Sequence, residues 1–392
     1  MIVETGLDLW VANDFAALRG LTVGLIVNQT SVDARLHHSV DLLASASGVR
    51  LKALFGPEHG VRGEAQYMEA VDQLHDERTG LPVFSLYGRS LDSLSPKPEW
   101  LRGLDALVFD IQDIGSRYYT YASTMALAMK AAAQAKIRFF VLDRPNPIGG
   151  VLVEGNLVAE KFRSFVGLFA LPNRHGMTVG ELAMYLNHVE SFGCDLSVVS
   201  CRGWRRSDDW SKTGLAFIPP SPNMPTPDTA LVYPGMCLLE GTNLSEGRGT
   251  CRPFEQFGAP WIDSRALIGN LERERLPGVA FRPVSFTPTF DKFTGQSCSG
   301  AMLHVTDRHA FRPLLTGVAI VRAALELGGR NFAWRSDAYE FVDDIPAFDL
   351  LCGTDRVRIG IEEGRSLSQL TEGFEAQLRP FIEQKRNFHR YE

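Results

Sequence analysis

Residues 104–119, LDALVFDIQDIGSRYY, carry the pattern that decides the fold. An apolar run, Leu104–Phe109, stops at Asp110-Ile-Gln-Asp113, and an Ala- and Met-rich helical pattern, Tyr118–Ala135, follows and closes on Lys136, a residue type suited to a helix C-terminus. A short apolar strand, a polar loop and a helix make one βα unit of a parallel sheet. Outward from this stretch the unit recurs. Strands are expected at Leu21–Val27, Val49–Phe55, Ile137–Leu142 and Asp195–Ser200, and helices at Asp33–Ser45 and Thr178–Val189. β-Branched and aromatic residues bounded by Gly, Asp or Pro suit strands buried on both faces. Arg50 and Lys52 make the second strand the least clean. The fold class is α/β, a mostly parallel sheet flanked by helices.

Five prolines between Ile218 and Asp228 break the rhythm, because proline suits neither a helix interior nor a central strand. The passage reads as a crossover between a catalytic domain, residues 1–215, and a smaller α+β auxiliary domain, residues 216–392. The second domain is expected to hold a Gly-rich loop, a helix near Ile262–Arg275, strands near Val279–Phe286 and Ala301–Val305, and long helices after them.

With 392 residues, 45% hydrophobic and 22% charged, the chain has ordinary globular composition. A net charge of −6 disfavours nucleic acid as a partner, which calls for a basic stripe. The cluster Arg202, Arg205 and Arg206, followed by Asp208 and Asp209, reads as a solvated loop. No run of ~18 apolar residues occurs, so no membrane span is expected. Residues 1–10 carry Glu4 and Asp8 and no apolar run, so they do not read as a secretory signal. Six scattered cysteines without a CxxC pair fit reduced thiols in the cytoplasm.

In an open parallel sheet the ligand crevice lies outside the carboxyl ends of the strands. Three strands run into polar clusters there: Gly56-Pro-Glu-His-Gly-Val-Arg-Gly63, Asp110–Tyr119 and Asp143-Arg-Pro-Asn-Pro147. Plain readings exist for each. Asp110 or Asp113 would cap the next helix, Asp143 and Asn146 would shape a proline turn, and the glycines would serve a tight loop. Glu58 and His59 resist that reading, since turn chemistry needs neither group. After the first strand, Asn28–Asp33 contains no glycine, so a dinucleotide has no place for its pyrophosphate despite the Rossmann-like layout; no cofactor is expected. Further on, Glu240–Thr250 and Arg252–Trp261 set Glu240, Asn243, Glu246, Arg248 and Glu255 on Gly-rich chain that can approach a ligand closely. Phe254, Phe257 and Trp261 suit either core or a sugar-stacking rim.

At these residues the chain resembles the NamZ-type exo-β-N-acetylmuramidases, a glycoside hydrolase family of bacterial peptidoglycan turnover. The likeness runs through nearly the whole length and is strongest in GPEHGVRG (56–63), FDIQDIGSRYYTY (109–121), DRPNP (143–147), RHGMTVGEL (174–182), PPSPNMPT (219–226), YPGMCLLEGTNLSEGRGT (233–250) and PFEQFGAPW (253–261). It implies a Rossmann-like N-terminal domain, a smaller auxiliary domain, an active site between them, and release of terminal N-acetylmuramic acid from the non-reducing end. It places the family's catalytic glutamate on Glu58 and a second carboxylate on Glu240 or Glu246, with Glu255 a weaker candidate. Many relatives are exported, and the absence of an export signal here favours intracellular recycling of muropeptide sugars.

Glycoside hydrolysis usually needs one carboxylic acid and one carboxylate; a separation of ~5–5.5 Å gives retention and ~6.5–9.5 Å inversion, and a substrate 2-acetamido group is an alternative nucleophile. Glu58 is expected as the acid, oriented or tuned by His59, with Glu246, or Glu240, stabilising the sugar cation or activating water. The substrate's lactyl carboxylate calls for an arginine, for which Arg62, Arg117 and Arg248 are candidates. Asp110, Gln112, Asp113, Tyr118, Arg144, Asn146, Asn223, Asn243 and Glu255 complete the expected substrate contacts. Partner expectations are a muropeptide-derived sugar, no membrane, and a homodimer left open. Two competing classes remain. One is a metal-dependent hydrolase or amidase using Glu58, His59, Asp110, Asp113 and His175, against which no HxxEH or HxH spacing appears. The other is an inactive sugar-binding protein, against which the intact acid candidates argue.

Overall fold

A computed structural model describes residues 2–63, 74–88 and 90–392. Seven strands form the main sheet: β1 (Thr22–Val27), β2 (Arg50–Gly56), β3 (Leu74–His75), β4 (Pro82–Ser85), β5 (Ala106–Asp110), β6 (Arg138–Leu142) and β7 (Leu196–Val199). Their order is β3-β4-β2-β1-β5-β6-β7, all parallel except β3, which runs antiparallel to β4. The chain fills the sheet outward from β1 in one direction through β2 and β4, then returns to start β5 on the other side. The crevice of such a sheet lies at that reversal, beyond the carboxyl ends.

Strand side chains alternate between faces, and here they divide two cores. Val23, Leu25, Val27, Val108, Phe140 and Leu142 join Trp10 and Leu43 on one face. Ile26, Phe55, Leu107, Phe109, Phe139 and Val141 join the other, which continues without a break into Leu239, Phe254 and Phe348 of the second half. Both faces of β1 and β5 are therefore dry, which explains the apolar runs Val23–Val27 and Ala106–Phe109. Arg50 and Lys52 stay exposed because the first turn of β2 projects past the core, where Lys52 Nζ reaches the Arg102 carbonyl at 2.7 Å.

Two helices are shorter than their patterns. The first occupies only Ser39–Ser45, because Asp33 accepts from the backbone N–H groups of Arg35 and His37 and holds a turn there. The second spans Tyr121–Ala135, with Lys136 at φ 56 ending it; neither Asp110 nor Asp113 caps it, and residues 118–120 are released to line the cavity described below. The arginine cluster is not a solvated loop throughout. Arg206 is buried, donates to Glu181 at 2.6 Å and to the Gly150 carbonyl at 2.8 Å, and so carries a structural ion pair.

In the second half, β8 (Gln256–Ala259), β9 (Val279–Phe286) and β10 (Cys298–Val305) form an antiparallel sheet in the order β8-β10-β9. The proline passage ends in a helix, Pro227–Met236, with Pro227 in its first turn, where the missing N–H costs nothing. This helix crosses Pro313–Gly328 at Gly235 and Gly317, and a Cβ on Gly235 would stand 1.7 Å from the Pro313 oxygen. The C-terminal segment returns to the first half, where Tyr391 bonds Asp143 and Lys385 Nζ donates to the Gly176 carbonyl at 2.9 Å.

Candidate active site

β2 ends in a tight turn, Pro57–Gly60, closed by the Gly60 N–H on the Pro57 carbonyl at 3.0 Å. His59 occupies its third position at φ 74, a conformation that favours glycine or asparagine. The turn sends Glu58 and His59 into a narrow, partly open cavity. Residues from both halves line it, including Tyr118–Tyr121, Ser221, Asn223, Tyr233, Glu240, Arg248, Tyr339 and Glu340. The proline passage forms one wall, fixed by Gln29 Nε2 on the Pro219 and Pro220 carbonyls and by the Tyr121 hydroxyl on Pro220.

The two carboxyls expected to work together differ in their surroundings. Burial raises the Glu58 pKa to about 7; Arg248 and the Thr120 hydroxyl pull it down, and Glu240 adds to the rise. Glu240 is also buried, which opposes its charge, yet Arg248 at 2.8 Å and the Tyr339 hydroxyl at 2.8 Å outweigh burial and hold its pKa below the ordinary value. Glu246 does not line this cavity. Its oxygens are taken by Arg248 at 3.3 Å and Lys292 at 2.9 Å, behind the guanidinium. Arg248 thus lies between two glutamates and over the Phe254 ring, 5.2 Å from its centroid. A second hollow, lined by Glu246, Phe290, Asp291, Lys292 and Arg335, adjoins the first through Glu240 and Arg248.

Among the expected contacts, His59, Tyr118, Asn223 and Arg248 line the cavity with Glu58 and Glu240. The others are engaged elsewhere. Arg62 pairs with Asp76 at 2.6 Å and Asp41 at 3.0 Å. Arg117 is buried on the carbonyls of Asn156, Leu171 and Leu351. Asp110 is buried against Arg144. Gln112 donates to the Asp113 and Pro145 carbonyls, and Asp113 accepts from the Gly115 N–H. Asn146 bridges Ile148 and Met177, Asn243 bridges Asn331 and Ala333, and Glu255 accepts from Thr229 and Arg252. The 143–147 cluster fastens its own turn and the C-terminal segment. The Gly-rich loop approaches its own protein: Cβ atoms on Gly247 and Gly249 would meet the backbones of Gln256 and Phe290. Among the described residues no three His, Cys, Asp or Glu side chains gather in metal-binding geometry, and Asp110, Asp113 and His175 do not line the Glu58 cavity.

Sequence reading missed Glu340. It lies in a two-residue turn between Tyr339 and Val342 whose residues carry no glycine, asparagine or proline. The available signal was only a lone carboxylate between two aromatics.

Two glutamates from separate halves of the chain, the pKa of Glu58 raised and that of Glu240 lowered, meet at the carboxyl edge of a Rossmann-like sheet, an arrangement that suits a glycoside hydrolase. The chain belongs to the exo-β-N-acetylmuramidase NamZ family: the family's N-terminal model matches residues 23–228 and its C-terminal model residues 231–391. It is 45% identical over 386 residues to the peptidoglycan β-N-acetylmuramidase NamZ of Bacillus subtilis, covering 98% of this chain and 91% of that protein. Two DUF1343 family proteins from Bacteroides fragilis share the fold. One has TM-score 0.90 and 36% identity, the other 0.78 and 29%, and each alignment covers 100% of this chain and 99% of the other.

Proposed function

We propose that the enzyme removes terminal N-acetylmuramic acid from the non-reducing end of peptidoglycan fragments, with Glu58 as general acid and Glu240 as the ionised carboxylate. The observation that carries this reading is the meeting of two glutamates, from separate halves of the chain, on one cavity, Glu240 held by Arg248 and Tyr339 and Glu58 by no ion pair among the described residues. Glu58 would give its proton to the glycosidic oxygen as the bond to C1 breaks. Glu240 would then face the oxocarbenium charge or take a proton from the attacking water. Glu246 acts through Arg248, fixing the guanidinium whose other arm fixes Glu240.

Arg248 is the one of the three candidate arginines on the cavity wall, and its charge is already shared by two glutamates. We therefore place the lactyl carboxylate toward the adjoining hollow, where Arg335 adds positive charge and Lys292 is already paired with Glu246. Arg335→Gln should lower the preference for muramic over glucosamine substrates; an unchanged ratio removes this placement. We assign the enzyme to cytoplasmic recycling of muropeptide sugars. All six cysteines are free and five are buried, as a reducing compartment permits, and among the described residues no helix is long and apolar enough to cross a membrane.

A chromogenic β-muraminide tests the activity directly. Wild type should release free N-acetylmuramic acid, and folded Glu58→Gln should not at a comparable rate. Wild-type turnover by the Gln variant would reassign the acid.

A further inference from the structure

The segment 339–342 reverses the chain in two residues. Tyr339 and Val342 exchange both backbone hydrogen bonds, at 2.8 and 3.0 Å, and Glu340 and Phe341 both have positive φ, 46 and 72. Two left-handed residues between bridged partners make a type I′ turn, which prefers Asn-Gly and penalises side chains with a Cβ. Both flanks of this turn are pinned. The Tyr339 hydroxyl donates to Glu240, and the Phe341 ring meets Phe165 of the first half edge-on, centroids 6.3 Å apart. Glu340, held between them, lines the cavity beside Glu58 and Glu240. Its Oε2 is buried and finds no hydrogen-bond partner among the described residues. A buried carboxyl oxygen without a partner costs free energy that a ligand atom can recover.

We infer that Glu340 is a third catalytic carboxyl of this site, a substrate-contacting residue whose carboxylic O–H donates a hydrogen bond to the sugar bound between it and Glu58. The inference rests on the muramidase reading and goes beyond it by assigning a group that no motif marks. The surroundings favour the protonated form. Glu58 and His59 face Glu340 from the turn after β2, Glu240 and Arg248 from the Gly-rich segment, Arg335 from its own segment, and the phenols of Tyr119 and Tyr121 from the wall. Burial, then Glu58 and Glu240, raise its pKa to about 8 against the pull of Arg335 and Arg248. A neutral carboxyl also admits an anionic sugar into a cavity that already holds the charge of Glu240. Once Glu340 ionises, the donor is lost and a second negative charge faces the substrate.

Two variants separate the donor from the turn. Glu340→Gln keeps an N–H donor of similar reach but cannot ionise. At pH 6 its kcat/KM should fall by a smaller factor than that of Glu340→Asn, and its alkaline limb should fall with one proton where wild type falls with two. Glu340→Asn suits the left-handed position and retracts the donor. It should melt no lower than wild type while kcat/KM drops roughly 10–100-fold. Glu340→Asn with wild-type kcat/KM, or a Glu340→Gln pH profile that superposes on wild type, overturns the inference. Failure of wild type itself to turn over the muraminide would instead strike the underlying activity, so the two outcomes stay distinct.

Discussion

The turn at 57–60 and the turn at 339–342 both bring a raised-pKa glutamate to one cavity, and both keep a side-chain-bearing residue in the left-handed region. They are anchored differently. The first grows from β2, whose register against β1 fixes its height at the sheet edge, and its glycines relieve the sharp bend. The second has no long strand beneath it and depends on two side chains, Tyr339 on Glu240 and Phe341 on Phe165. A group placed by a sheet edge is fixed by the backbone. A group placed by side-chain anchors is fixed only once both halves of the molecule have met.

The largest effect should come from the sheet-edge turn. Glu58→Gln is expected to lower kcat by roughly 10²–10⁴, the loss typical of a missing acid, with circular dichroism unchanged. Near-wild-type turnover in a folded variant would pass the acid role to the other turn. Next comes the charge that serves the whole cavity. Arg248→Met leaves Glu240 without its guanidinium and Glu246 with Lys292 alone, and urea unfolding should show a loss of about 3–5 kcal/mol. A loss under 1 kcal/mol would mean that the glutamates do not rely on that cation.

Opposite pH signs sharpen the contrast further. Glu58, raised to about 7, makes the native state bind more protons than the unfolded chain between about 4.5 and 7. Its contribution is therefore full below that window and fades as pH rises through it. Glu240, whose pKa is lowered, contributes above its unfolded value and loses that contribution as pH falls. Relative to wild type, Glu58→Gln should accordingly gain on the order of 1–3 kcal/mol in stability between pH 5 and pH 8. Equal differences at the two pH values would show that Glu58 titrates normally. Tyr339→Phe, the mildest change, removes one hydrogen bond to Glu240 and should cost about 1–2 kcal/mol while loosening the second turn. If its kcat/KM and melting temperature both match wild type, the anchor is dispensable.

Much of the scaffold was legible along the chain. β1, β5 and β6 announce themselves because both faces of each are dry along Val23–Val27, Ala106–Phe109 and Phe139–Leu142, so those runs are apolar for the same reason. Glu58 was legible because a carboxylate and an imidazole in a glycine turn at a strand's end have no structural purpose there. The 143–147 cluster misled for a physical reason. Asp143 is satisfied by Thr178, the Gly180 N–H and Tyr391, two of them groups from an element starting dozens of residues later and one from the C-terminal end. Polar residues at a sheet edge look alike in sequence whether they await a ligand or a distant segment of their own chain.

The sequence by itself determined five strands of the parallel sheet, though not β3 or β4, and the placing of Glu58 at its carboxyl edge, since periodicity and turn chemistry act over a few residues. Only the tertiary structure decided that Glu240 rather than Glu246 shares the cavity with Glu58, and that Glu340 joins them. Those choices depend on which oxygens Arg248 and Lys292 neutralise and on where two distant aromatic anchors land. Electrostatic pairing and side-chain packing act through space, and local sequence carries no record of them.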